Sequence, residues 1–213
     1  MTKTSLILVL TLFVSITVFG VVFGNHGESG YNSSGDGYNA IDNPLRTLII
    51  TGASHFIKSY SLFQQFLNKI ELAELYGVNY DELRGIINDT LANIENARID
   101  YYDFMKLASV TPYNESFIAA LEPFDYDGFR QKNHLNAIIF SKLASLLKNG
   151  DLTGVYQEIY QKTGEISLFL HIVKASVDKD MFPGIPVLWE INQVYFNSYF
   201  FGQYAAMVFN EVK

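Results

Sequence analysis

Cysteine is absent from the 213-residue chain. That absence excludes disulfides, thiolate metal sites, covalently attached haem and the lipid-bearing cysteine of a lipoprotein, so the fold must be held by packing. Histidine is scarce: His26, His55, His134 and His171 are the full set, and no two lie three or four residues apart. A carboxylate-bridged di-metal bundle needs Glu-x-x-His on two helices, and a zinc protease needs paired histidines one turn apart. Neither pattern occurs, so neither a metal nor another cofactor is expected. Positive charge is also short, with 15 Lys and Arg against 22 Asp and Glu and a net charge of −7. Such a surface repels phosphate backbones and anionic lipid heads, which removes nucleic acid from the expected partners.

Charge is missing altogether from Leu6 to Phe23, a run rich in Leu, Ile, Val, Phe and Thr that follows Met1-Thr-Lys-Thr-Ser. This is an export segment of about 18 residues, longer than a typical secretory core and slightly short of a spanning helix. Lys3 precedes it and the next basic residue is Arg46, so the positive-inside rule keeps the N-terminus in the cytoplasm and sends the remainder outside. Val22-Phe23-Gly24 suits a signal peptidase, with cleavage expected after Gly24. Residues 1–24 are therefore a signal peptide or, uncut, a signal anchor, and the protein is periplasmic or extracellular. The following stretch, NHGESGYNSSGDGYNA, is too poor in apolar residues to form a core. Residues 25–41 are expected to be a flexible Gly/Ser/Tyr/Asn leader.

Residues 42–213 are long enough for one domain with its own core. The apolar pattern has helical period throughout, and the expected class is all-α. Asn43-Pro44 opens a first helix that Gly77 closes, with Leu45, Ile49, Gly52, Phe56, Ser59, Phe63, Phe66 and Ile70 on one stripe. Asn79 caps a second, with a stripe from Leu83 through Ile94, Ala97 and Tyr101 to Ala108. Gly150-Asp151 introduces a third, with Leu152, Val155, Ile159, Ile166, Phe169, Val173 and Val177 facing inward. A fourth, from about Pro186, is apolar nearly all round and reads as a central helix. The long segment between the second and third carries a short apolar turn at Phe117 to Leu121, an irregular EPFDYDGFRQKN and a helix from about Leu135 to Lys148. The expected architecture is an up-down bundle of four long helices, with this insertion, holding one or two shorter helices, as a crossover from one end to the other.

Two sets of polar residues are candidate ligand-binding positions. His55 lies about 50° from the centre of the first stripe, and folding the first two helices about Gly77 brings it level with Asp100, beside Tyr101. A His–Asp pair can orient a base or hold a ligand, though no placed nucleophile accompanies it and no catalytic residue is assigned. Asn192, Gln203 and Asn210 fall within about 20° of one another on the last helix. Buried amides need partners, so these either lock helix register or line a cleft for a small molecule or a second subunit. His171 falls on the side of its helix away from the stripe. The 14 tyrosines and 17 phenylalanines are mostly core filling, with any surplus at the surface favouring protein contacts.

These observations lean away from an enzyme. They point to an exported non-catalytic helical bundle that binds another protein or a small ligand outside the cytoplasmic membrane, with self-association into a homo-oligomer open. An enzyme or cofactor carrier built on His55 and Asp100, and a membrane-anchored structural or assembly subunit retaining residues 5–24, are the alternatives.

Overall fold

Capping residues divide the chain into helices at the points where backbone groups would otherwise go unpaired. The computed structural model describes residues 43–111 and 115–212; the export segment and leader lie outside the described residues. Seven helices form among them: α1 (Asn43–Tyr76), α2 (Tyr80–Ala108), α3 (Glu115–Leu121), α4 (Tyr126–Lys132), α5 (Ala137–Lys148), α6 (Leu152–Val177) and α7 (Ile185–Glu211). No strand occurs among the described residues, and the protein is all-α. Gly77 ends α1 at a φ of 82°, a left-handed value that glycine takes without a Cβ penalty. Asn79 Oδ1 accepts from the Glu82 amide at 3.2 Å, and Asp151 Oδ1 accepts from the Gly154 amide at 2.7 Å. Each satisfies one of the orphan donors of a helix start.

The stretch expected to be irregular between α3 and α5 contains α4. Asp125 caps it by accepting from the Gly128 amide at 3.0 Å, and Tyr126 and Phe129 bury their rings against Phe140 of α5. Two apolar residues three apart make too short a stripe for a period to register. The helix forms because tertiary packing supplies what its length cannot.

The stripes of the long helices meet in register. Phe56, Phe63 and Phe66 of α1 are buried, as are Ile87, Ile94 and Phe104 of α2. The contacts between neighbours also fix direction. On α1 and α2, Lys69 pairs with Glu82 at 2.7 Å while His55 pairs with Asp100, so the numbers run in opposite senses. Ser167 bonds to Glu95 near the middle of the α2–α6 seam, and Tyr156 packs on Phe104 at 4.3 Å towards the end of α2 and the start of α6. Gln64 meets Asn192 and Ser59 meets Tyr195 across α1 and α7. Each pair is antiparallel.

A correction to the insertion follows from these pairings. Because α2 and α6 are antiparallel, the end of α2 and the start of α6 lie at the same end of the molecule. Helices α3–α5 therefore leave and return at one end, and the expected crossover is replaced by an end cap. They sit on the C-terminal half of α7, where Phe117 meets Phe209 edge-on at 5.7 Å and the Tyr204 hydroxyl accepts from the Asn136 amide at 3.2 Å. The physical reason is the direction of pairing: α2 and α6, of 29 and 26 residues, run antiparallel along one seam, so the connection between them begins and finishes at the same end.

The last helix also differs from expectation. It buries one arc, including Leu188, Ile191, Tyr195, Phe201 and Val208, while Trp189 is 50% exposed and Phe196 and Phe200 are part-exposed. It is not buried on all sides. Tyrosine rings fill the seam between α1 and α7, so these two helices meet mainly through side chains and leave the outer face of α7 uncovered. Among the described residues, no helix is long and apolar enough to cross a membrane.

Gly52 marks the closest approach of α1 to α2. A Cβ there would stand 3.0 Å from the Tyr101 ring and 3.2 Å from Asp100 Cβ. Gly52→Leu is expected to destabilise the fold by about 1–3 kcal/mol through overpacking, measured by urea denaturation. An unchanged midpoint would show that the α1–α2 seam is looser than these distances require.

Candidate functional site

His55 precedes Phe56 of the α1 core stripe by one residue, and Asp100 precedes Tyr101 of the α2 stripe by one. The antiparallel pairing therefore brings the two polar side chains to the edge of the same seam. His55 Nδ1 lies 2.9 Å from Asp100 Oδ2, with the side chains 38% and 19% exposed. A proton on Nδ1 donated to the carboxylate leaves Nε2 as the free acceptor, the geometry of an oriented base. The surroundings do not extend it. Thr51, one turn away, donates its hydroxyl to the Thr47 carbonyl at 3.0 Å, and Tyr101 lies buried beneath Gly52. Tyr101 faces Tyr156 of α6 at 6.3 Å and so belongs to the core rather than to the pair. The groove lined by Ile139, Ile159 and Phe201 and the cleft beside Arg84 and Asp180 both lie elsewhere. A part-exposed histidine–carboxylate contact of this kind is worth up to about 1 kcal/mol, which suits a clasp across the seam.

The row of amides on α7 is split by its surroundings. Asn192 Oδ1 accepts from Gln64 Nε2 at 2.8 Å, joining α7 to α1. Gln203 is part-exposed and Asn210 is exposed near the end of the helix. The structure thus joins His55 to Asp100 and bonds Asn192 of α7 to Gln64 of α1, but it does not bring the six candidate residues into one site. His171 is exposed on α6. No group of three or more histidine and carboxylate side chains able to hold a metal occurs among the described residues.

Sequence reasoning missed the polar knot at the core of the α1–α7 seam. Ser59 Oγ donates to the Thr90 carbonyl at 2.8 Å and accepts from the Tyr195 hydroxyl at 2.5 Å. Tyr60 stacks on Tyr195 with centroids 5.0 Å apart, and its buried hydroxyl has no partner among the described residues. The signal available was Ser59 itself, a hydroxyl in the middle of an apolar stripe. Burial pushes the Tyr60 phenol up to about 12, and it raises Tyr195 and Tyr199 as well. In Tyr195 the bond to Ser59 offsets part of that rise.

Two apolar surfaces were also missed, because each is assembled from separate elements or from the back of a helix already assigned to the core. One is a groove of about 190 Å³ where α5, α6 and α7 meet, floored by Ile139, Ile159 and Phe201 and edged by Lys142, Glu158 and Lys162. The other is the outer face of α7. Ile185, Trp189, Phe196, Phe200 and Met207 recur along it at spacings of four and seven, and no Asp, Glu, Lys, Arg or His lies between Ile191 and Asn210.

The buried phenols predict the alkaline limit of stability. Their neutral form is favoured in the fold, so above a free-phenol value of 10.0 the unfolded chain loses protons that the folded chain keeps. Stability should hold below that value and fall as pH rises towards about 12. Urea midpoints measured across this range should decline, and Tyr60→Phe should make the decline shallower. A profile that does not fall would show that these hydroxyls are accessible to water.

Comparisons of the chain with protein-family models, with curated proteins and with solved structures each find no match.

Proposed function

We propose that the chain is an exported, non-catalytic protein that binds another protein outside the cytoplasmic membrane, with its four long helices as an up-down bundle that presents α7. The observation that carries this reading is the uncharged, aromatic outer face of α7. On a chain with a net charge of −7, a helical face of Trp189, Phe196 and Phe200 without an ionisable acid or base among them stands apart. Charged residues are depleted and Trp, Tyr and Phe enriched at the centres of protein interfaces. Leu6–Phe23 supports the export arm, through its apolar run and the position of Lys3. The alternative enzyme would need substrate space at His55 and Asp100, where Gly52 and the Tyr101 ring are in close contact. Retention of the apolar segment would make the same module a membrane-anchored assembly subunit.

Two measurements test the proposal. Intact mass of the native protein should correspond to a chain that starts at Asn25, whereas the full 213-residue mass would replace cleavage with anchoring. A photo-crosslinking residue at Phe196, introduced into the native protein in its producing cell, should give a defined protein adduct. The same group at exposed Gln131 of α4 should give none. Equal labelling from both positions, or no adduct from Phe196, would remove the α7 face as the binding surface.

A further inference from the structure

The outer face of α7 reads alike in both directions along the helix. Phe196 and Phe200 stand two residues before and after Ser198, Gln193 and Gln203 stand five, and Trp189 and Met207 stand nine. Ser198 itself is buried and donates its hydroxyl to the Val194 carbonyl at 2.7 Å, so it points into the fold. At 100° per residue all three pairs fall on the side of the helix opposite Ser198, within about 40° of one centre line. Trp189 is 50% exposed and the other five are part-exposed.

A two-fold axis through that centre line lays the face on its own copy with the helices antiparallel. Phe196 then lies opposite Phe200 of the second copy, Trp189 opposite its Met207, and Gln193 opposite its Gln203. Rings meet rings, a thioether meets an indole, and amides, which carry both donors and an acceptor, meet amides. Charge narrows the choice of surface further. Two copies of a chain with a net charge of −7 repel one another over most of their surface. No Asp, Glu, Lys, Arg or His lies between Ile191 and Asn210, so copies that meet there set no like charges against each other. Just beyond, Glu211 is held by Lys132 at 3.5 Å.

We propose that the partner of the α7 face is a second copy of this chain, docked antiparallel about a two-fold axis on the side of α7 opposite Ser198. Resting on the reading of α7 as the binding face, this pairing supplies its occupant. A dissimilar partner has no need of a face that is its own complement, whereas a two-fold contact requires one. Because both copies spend the same patch, the assembly closes at two chains. Trp189 and Met207 are about 27 Å apart along the helix, a single-helix contact at the small end of specific interfaces, so the dissociation constant belongs in the range of roughly 1–100 μM.

Sedimentation equilibrium of the full native chain tests occupant, orientation and register. The mass should rise from one chain to two between about 1 μM and 1 mM and stop there. Gln193→Lys or Gln203→Glu alone should weaken pairing about threefold to tenfold by burying an unmatched charge. The double variant should recover the loss, because each introduced cation then faces an introduced anion on the other copy. In a parallel pairing the same double variant sets like charges together and is weaker than either single one. Both amides are part-exposed, and circular dichroism checks that each variant keeps its helices. A one-chain mass throughout, growth beyond two chains, or a double variant no tighter than the single ones would overturn the pairing. The photo-crosslinker at Phe196 separates this outcome from the broader reading. An adduct of twice the chain's mass supports the second copy. An adduct with a different protein would overturn the second copy and keep α7 as a binding surface, whereas no adduct, or a link within one chain, would remove both.

Discussion

The arrangement of the long helices depends on Ser59. Its oxygen is fully buried on α1, donates to a backbone carbonyl of α2 and accepts from a tyrosine of α7, so one hydroxyl joins three helices. The Thr90 carbonyl can take this bond because a carbonyl has two lone pairs, one of which remains for the helix. Thr90 turns its own hydroxyl back to the Ile86 carbonyl at 2.7 Å, so no polar hydrogen of the pair is left unsatisfied. A buried donor without a partner costs about 1–3 kcal/mol, which penalises any slip of α7 along α1 that separates Tyr195 from Ser59. Apolar packing alone would tolerate such a slip more readily, since the aromatic rings along this seam are similar in size.

Around that point the chain, which has no cysteine, uses aromatic rings where a disulfide could otherwise tie helices together. Phe56 and Phe63 each lie 5.5 Å from Tyr195, on either side of the stacked Tyr60. Rings bury large areas at a cost of only two side-chain torsions, and they hold neighbouring helices further apart than small residues do. The close α1–α2 seam, with Gly52 against Tyr101, and the wide α1–α7 seam, filled by tyrosines, are opposite outcomes of this choice. Hydroxyls on the rings give the wide seam its polarity and also its alkaline weakness.

Much of the fold was legible in the sequence because helical period and capping are local. The stripes of α1 and α2 are buried where the pattern placed them, apart from part-exposed Ile70, and Asn79 and Asp151 cap as their positions imply. The His55–Asp100 contact could also be anticipated, since a tight turn at Gly77 fixes the register of two antiparallel helices. What failed was non-local. The return of α3–α5 to one end depends on the antiparallel pairing of α2 with α6, and residues 95 and 167 do not announce in sequence that they meet. Gln64 was passed over for a related reason. It sits beside Phe63 at the edge of the stripe, and its burial makes sense only with Asn192 opposite.

Helix α7 shows why an apolar helix need not be a central one. Its composition is equally apolar on opposing sides, yet the structure gives those sides different neighbours. One side meets α6 and the end-capping α5, where Tyr204 packs on Phe140 and Phe201 floors the groove. The other carries Phe196 and Phe200, whose rings lie 4.6 Å apart and pack on each other, Phe200 also meeting Tyr199 and Tyr204 of the same helix. Rings that cover one another in this way shed part of their apolar surface from water without fixing the position of a neighbouring helix. The face is thus tolerable to the isolated protein while retaining area that a partner can bury, a balance that substituting charged residues would end by making the face fully at home in water.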